Sequence, residues 1–155
     1  MSIWKKPIAL EAMAAMARGT AVSHLGIEFL AVGDDTLSAR LPVDARTRQP
    51  MGLLHGGVSV VLAETLGSMA GYFACLPGQV VVGLDINANH LRAVRSGWVM
   101  GTARAVHVGR STQVWAIDIT DEAGQPVCVS RLTLAVLNQA PGEDAEPGGL
   151  TAQPA

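Results

Sequence analysis

Gln49-Pro-Met-Gly-Leu-Leu-His-Gly-Gly-Val-Ser-Val-Val-Leu-Ala-Glu-Thr-Leu-Gly-Ser-Met-Ala-Gly-Tyr-Phe73 is the stretch on which the reading of this chain turns. Within it Glu64 is the only formally charged residue between Arg48 and Asp85. Val, Leu, Ala, Met and small residues surround it over a helical length, which predicts a buried helix. A carboxylate is costly to bury because desolvation penalises its charged form. No Arg or Lys stands one turn away to neutralise it. Such a group either finds a partner from elsewhere or is kept for chemistry, and we read it as kept for chemistry.

The run from Val58 to Leu76 is also about as long as a membrane span, and Gly67 and Gly71 fit a small-xxx-small pattern. Glu64 near its centre would cost about 2.5–3.5 kcal/mol on insertion scales. The flanking segments alternate like ordinary β-strands, so the expectation is a core helix and no membrane.

Outward from the helix, 155 residues with 49% apolar and 15% charged side chains suit one globular domain. The net charge is −2, and residues 1–137 hold eleven basic and ten acidic side chains. That balance predicts no nucleic-acid partner. Cys75 and Cys128 have neither metal nor redox spacing, which suggests buried thiols in a reducing, cytoplasmic compartment. The start of the chain fails as a signal peptide because Pro7 and Glu11 interrupt a short apolar run. A short helix over about 9–18, stopped by Gly19, fits better.

The remaining elements follow in order. Residues 21–26 read as a turn or short helical piece. Strands are expected over 27–33 and 36–43, joined at Gly33-Asp34-Asp35. After the long helix, which should end near Cys75 before Pro77-Gly78, come strands over 80–94, 98–108, 112–120 and 127–137. Small residues at Gly101, Ala103 and Ala105 would let another element lie close to one sheet face. From Asn138 onward the pattern vanishes, which predicts a disordered tail over 138–155. The domain itself spans 21–137, preceded by a helical segment over 1–20. The class is α+β: an antiparallel β-sheet wrapped around one long central α-helix and covering most of its sides.

The helix N-terminus offers N–H groups without intrahelical partners and the positive end of the macrodipole. Gly56 and Gly57 would let a ligand oxygen approach those groups, as an oxyanion site requires, or they simply make a tight turn. Glu64 lies eight residues beyond Gly56, roughly 12 Å along the axis. Its side chain cannot reach a carbonyl held at its own helix N-terminus. If both act on one substrate, the carboxylate must come from a second copy of the chain. Ser68, one turn on, either bonds Glu64 or bonds back to a helix carbonyl. His55 is either a structural hydrogen-bonder or a catalyst. The histidines show no metal spacing, and neither a Gly-x-Ser-x-Gly elbow nor a phosphate-cradling loop is present.

The segment from Gln49 to Met69, with Gly83-Leu-Asp-Ile-Asn-Ala-Asn-His90-Leu-Arg92 and Val108-Gly-Arg110-Ser111-Thr112, closely resembles hotdog-fold acyl-CoA thioesterases. The resemblance is to the branch with 4-hydroxybenzoyl-CoA thioesterases of the second type, PaaI-like proteins and the enterobactin proofreading enzyme, over roughly residues 20–137. It implies Glu64 as the catalytic carboxylate, acting as nucleophile or as general base on water. It implies the Gly56 N–H at the thioester carbonyl, Gln49 and His55 positioning thioester and water, and Ser68 beside Glu64. His90, Arg92 and Arg110, with Gly83 and Ser111 in the matched stretches, would contact coenzyme A. Met69, Tyr72 and Phe73 would wall the acyl pocket. The resemblance further implies a homodimer that shares its sites, paired into a homotetramer. It implies no metal or separate cofactor, coenzyme A being part of the substrate. The expected activity is hydrolysis of an aromatic or medium-chain acyl-CoA. Alternatives are an enoyl-CoA hydratase or dehydratase of the same fold, or a non-catalytic acyl-CoA-binding module.

Overall fold

A computed structural model describes residues 1–139. Alternation makes its strands. In β2 (Thr36–Pro42) Leu37, Ala39 and Leu41 are fully buried while Ser38 and Arg40 face outward, the period of two that a half-buried strand requires. On the outer face Ser38 Oγ lies 3.0 Å from Thr102 Oγ1, and Arg40 pairs with Glu28 at 2.6 Å while stacking 4.0 Å from the Trp98 ring. β1 (Glu28–Val32) joins β2 through the expected turn, where the Gly33 N–H donates to Thr36 O at 2.8 Å. The later strands are β3 (Gln79–His90), β4 (Trp98–Val108), β5 (Thr112–Asp121) and β6 (Pro126–Asn138). They form one six-stranded antiparallel sheet in the order β1-β2-β4-β5-β6-β3.

Two short helices, α1 (Leu10–Ala17) and α2 (Ala21–His24), precede the sheet, and α3 (Gly56–Ala74) lies across it. α3 is long and apolar enough to cross a membrane, but here it is the core helix, with 50% of that apolar window buried. Glycines set how closely it lies. A Cβ on Gly67 would fall 2.6 Å from Leu132 Cδ2, one on Gly71 2.5 Å from Leu134 Cδ1, and one on Gly101 of β4 2.6 Å from Leu66 Cδ1. Gly101 is therefore the close-approach position expected on β4. Gly67 and Gly71 admit sheet side chains. Beside Gly71 the buried Gln113 donates to Gly71 O at 3.3 Å and accepts from Trp115 Nε1 at 3.0 Å.

Several boundaries differ from the sequence reading. β3 stops at His90 rather than near Val94, because the Leu91 and Arg92 N–H groups both turn to Val127 O, at 2.8 and 3.3 Å. β6 runs past Leu137: Asn138 pairs with Gln79, and the Gln139 N–H donates to Gly78 O at 2.8 Å. The rest of the expected tail, 140–155, lies outside the described residues. Residues 1–20 join the same core, with Met13 fully buried and Trp4 stacked 6.3 Å from Trp115.

The largest difference concerns helix coverage. The sheet covers one side of α3, burying Leu62, Ala63, Leu66, Ala70 and Phe73. Val58, Val61, Thr65, Ser68, Met69 and Tyr72 on the other side remain half-exposed. A single sheet of this width curves over only part of the helix circumference.

Because Leu134 and Gln113 are both held in a packed interior, Gly71→Ala is expected to destabilise the fold. Overpacking costs about 1–3 kcal/mol, offset by up to about 1 kcal/mol of helix propensity. A denaturant midpoint equal to or above that of the parent protein would contradict the close-packing account.

Candidate active site

The loop before α3 is held by backbone-directed bonds. Thr47, fully buried, donates from Oγ1 to Pro42 O at 2.7 Å and accepts there from the Asp44 N–H at 3.0 Å. Hydrogen bonding from the Arg46 side chain holds the Asp44 carboxyl below its ordinary value. Arg48 Nε reaches Arg95 O at 2.9 Å, and the Leu54 N–H donates to Val94 O at 2.8 Å. The segment after β3 is thereby tied to the segment before α3, so the end of β3 and the start of the helix meet.

His55 is the N-cap. Its backbone is extended (φ −68°, ψ 127°), and its Nδ1 accepts from the Gly57 N–H at 2.9 Å. This is the side-chain bond an N-cap supplies, and it leaves the ring proton on Nε2 when the imidazole is neutral. His55 caps the helix through Nδ1, and no hydrogen bond of its Nε2 is made among the described residues. The Gly57 N–H is thus taken, whereas the Gly56 N–H donates to no acceptor among the described residues. The flank of Gly56 is filled by His90: a Cβ on Gly56 would lie 2.9 Å from His90 Nε2. The missing Cβ admits a ring of the same chain and leaves one N–H, rather than two, free at the helix end.

Gly56, His90, Gln49 and Arg92 line one cleft of about 350 Å³, with Ser59, Leu53, Leu54, Leu91, Ala93 and Val127. Gln49 turns its side-chain carbonyl to the Met51 N–H, which leaves its amide NH2 as the free donor. The cleft therefore presents hydrogen-bond donors and a guanidinium, suited to an oxygen-rich or anionic ligand.

Glu64 is elsewhere. It is half-buried on α3 where the helix meets β3, and a Cβ on Gly83 would fall 2.8 Å from its Oε1. Beside it β3 is bulged, with the register shifting between Gly83 and Asp85. Bulges of this kind often adjoin sites where a side chain must be aimed. None of the ion pairs among the described residues involves Glu64. Ser68 and Met69 lie next along the half-exposed side of α3. The Ser68 hydroxyl makes neither expected bond, to Glu64 or to a helix carbonyl, among the described residues.

Arg110 and Ser111 occupy the β4–β5 turn, where Ser111 O accepts from the Val136 N–H at 2.9 Å. His90 pairs with Cys128 on the same strand, β6. Eight residues of strand put the two groups roughly 25 Å apart, so within one chain Arg110 does not join His90 and Arg92. Both cysteines are buried and unpaired, and burial pushes the Cys128 thiol up. Among the described residues no three His, Cys, Asp or Glu side chains are placed to hold a metal ion.

Comparison with known proteins places this geometry in a family. The family described as the thioesterase superfamily matches residues 51–128. The 1,4-dihydroxy-2-naphthoyl-CoA hydrolase of Escherichia coli is 56% identical over 135 residues, covering 87% of this chain and 99% of that protein. This chain belongs to the thioesterase superfamily. The proofreading thioesterase EntH of Cronobacter turicensis is likewise 56% identical over 135 residues, with 87% of this chain and 98% of that protein covered. A crystal structure of a Haemophilus influenzae thioesterase superposes with a TM-score of 0.88 at 55% identity, over 91% of this chain and 99% of that one. The antiparallel sheet with its central helix is thus the hotdog fold, and the protein is a thioester hydrolase.

Of the features of this site, the cap is the one whose removal reads directly on the fold. His55→Ala, which orphans the Gly57 N–H, should cost about 0.5–2 kcal/mol in denaturant unfolding. His55→Asn, which can accept the same bond, should recover most of that loss.

Proposed function

We propose that the protein hydrolyses an aromatic or medium-chain acyl-CoA to the free acid and CoA, at a site shared between two copies of the chain. The observation that carries this is the pair of unsatisfied groups on α3. The Gly56 N–H donates to nothing in the cleft, and the Glu64 carboxylate forms no ion pair roughly 12 Å away on the same helix, where it meets β3. The N–H is placed to polarise a thioester carbonyl. The carboxylate of the facing chain then attacks the carbonyl carbon or removes a proton from the water that does. The C–S bond breaks, the acyl carbon gains an oxygen from water, and the sulfur leaves as CoA thiol.

A second copy is favoured by two surfaces. β3 pairs with β6 on one side only, and over its twelve residues it exposes Val82 (44%) and Leu84 (62%) along the free edge. Long apolar edges are ordinarily covered. Antiparallel pairing of two such edges sets the Val80–Val82 end of one chain beside His90 of the other. Arg110 and Ser111 come with that end, which reunites them with Arg92 around a CoA phosphate. The half-exposed side of α3 faces the partner helix, and Met69 and Tyr72 wall the acyl pocket. On this reading two such dimers pair into a tetramer. The name of the Escherichia coli relative carries an aromatic acyl-CoA, which favours an aryl acyl group here as well.

Glu64→Gln should lower kcat on benzoyl-type and medium-chain acyl-CoAs about 10²- to 10⁴-fold, with the fold retained by circular dichroism. Activity close to wild type would remove Glu64 from the mechanism. The sharing is tested by mixing. Glu64→Gln and Gly56→Pro proteins, the second lacking the N–H at a first helical position where proline is tolerated, should each be inactive alone and regain activity when unfolded and refolded together, since each mixed dimer holds one intact site. If Glu64 and Gly56 of a single chain made the site, the mixture would stay as inactive as its components.

A further inference from the structure

Ser59 sits one turn into α3 and is only 2% exposed, yet its hydroxyl has no hydrogen-bond partner among the described residues. A buried hydroxyl without a partner costs stability. No sealed side-chain nitrogen or oxygen among those residues lacks a partner. The hydroxyl must therefore be the part of Ser59 that opens into the cleft, whose wall it forms beside Gly56, Gln49 and His90. Side chains on a helix lean toward its N-terminus, so Oγ points the way the free Gly56 N–H points. The rest of that wall offers the Arg92 guanidinium and the apolar side chains of Leu53, Leu54, Leu91, Ala93 and Val127. No histidine accepts from Ser59, which leaves the hydroxyl unactivated as a nucleophile and available as a donor.

We propose that the Ser59 hydroxyl is a further donor of the oxyanion site, beside the Gln49 amide, sharing the thioester carbonyl oxygen with the Gly56 N–H. The inference rests on the thioesterase reading above. One backbone and one side-chain donor, fixed on consecutive turns of a rigid helix, would meet the negative charge that develops on that oxygen as the carbonyl carbon becomes tetrahedral.

The test is Ser59→Ala, assayed on the acyl-CoA that wild type turns over best. The expected result is a fall in kcat of about 10- to 100-fold with little change in KM, and a denaturation midpoint equal to or above wild type. Affinity for an S-alkyl-CoA thioether, which lacks the carbonyl oxygen, should be unchanged. A kcat within about twofold of wild type would overturn the proposal. So would a midpoint that falls in step with activity, or a thioether affinity that falls as far as kcat/KM. A wild-type protein inactive on every acyl-CoA would instead remove the parent reading, a failure distinct from an active enzyme indifferent to Ser59.

Discussion

Gly67, Gly71 and Gly101 hold α3 against the sheet at a distance that no larger residue would allow. Leu132 and Leu134 reach into the gaps on the helix, and Leu66 reaches into the gap on β4. Close approach on this side fixes the rotation of α3 about its own axis. Once Leu62, Leu66, Ala70 and Phe73 face the sheet, the 3.6-residue period leaves Val58, Val61, Thr65, Ser68 and Tyr72 turned away from it. Glu64 falls on the seam between the two sides, against β3. A small shift in helix rotation would either bury the carboxylate among leucines, at high cost, or swing it away from the bulge at Gly83. The packing of the core and the aim of the carboxylate are therefore one constraint.

Much of the fold was legible because it is written locally. The hairpin at Gly33, the alternation in β2 and the small residues of β4 each depend on neighbours one to four positions away, and each lies where the pattern put it. The errors fall where distant residues intervene. β3 ends at His90 because Val127, far along the chain, captures the next two N–H groups. Met13 joins the core through packing that a short amphipathic segment does not announce. The helix seemed destined for near-complete enclosure because its sequence is apolar nearly all round, yet periodicity cannot say whether the cover is the chain's own sheet or a second molecule.

The site divides along the same line. Glu64 stood out as a charge without a local partner, whereas only the structure shows that Gln49, Gly56, His90 and Arg92 line one cleft. That the His55 imidazole caps α3 was not legible, because the bond from the Gly57 N–H to Nδ1 depends on the backbone turn into the helix. Gly56 was legible as a position needing no Cβ, but the reason, a ring 34 positions later, was not. Ser59 was missed altogether. In a run of Val, Leu and Ala it resembles any small residue tolerated in a buried helix, and only its unpartnered hydroxyl sets it apart.

The unsatisfied groups share one helix and one logic. A folded chain ordinarily pairs its buried polar atoms, and each exception costs stability unless something else supplies the partner. On α3 the Gly56 N–H and the Ser59 hydroxyl open into one cleft, while the Glu64 carboxylate stands a dozen ångströms along the axis. Ser68, unpartnered as well, lies on the half-exposed side. The Gly56 N–H and the Glu64 carboxylate lie on one continuous helix, which holds them a fixed distance apart. On the proposed reading the donors are completed by a substrate oxygen, and the carboxylate serves a carbonyl held by another copy of the chain. On that reading the unbroken run that makes α3 a good core is also what asks for a second chain at the site.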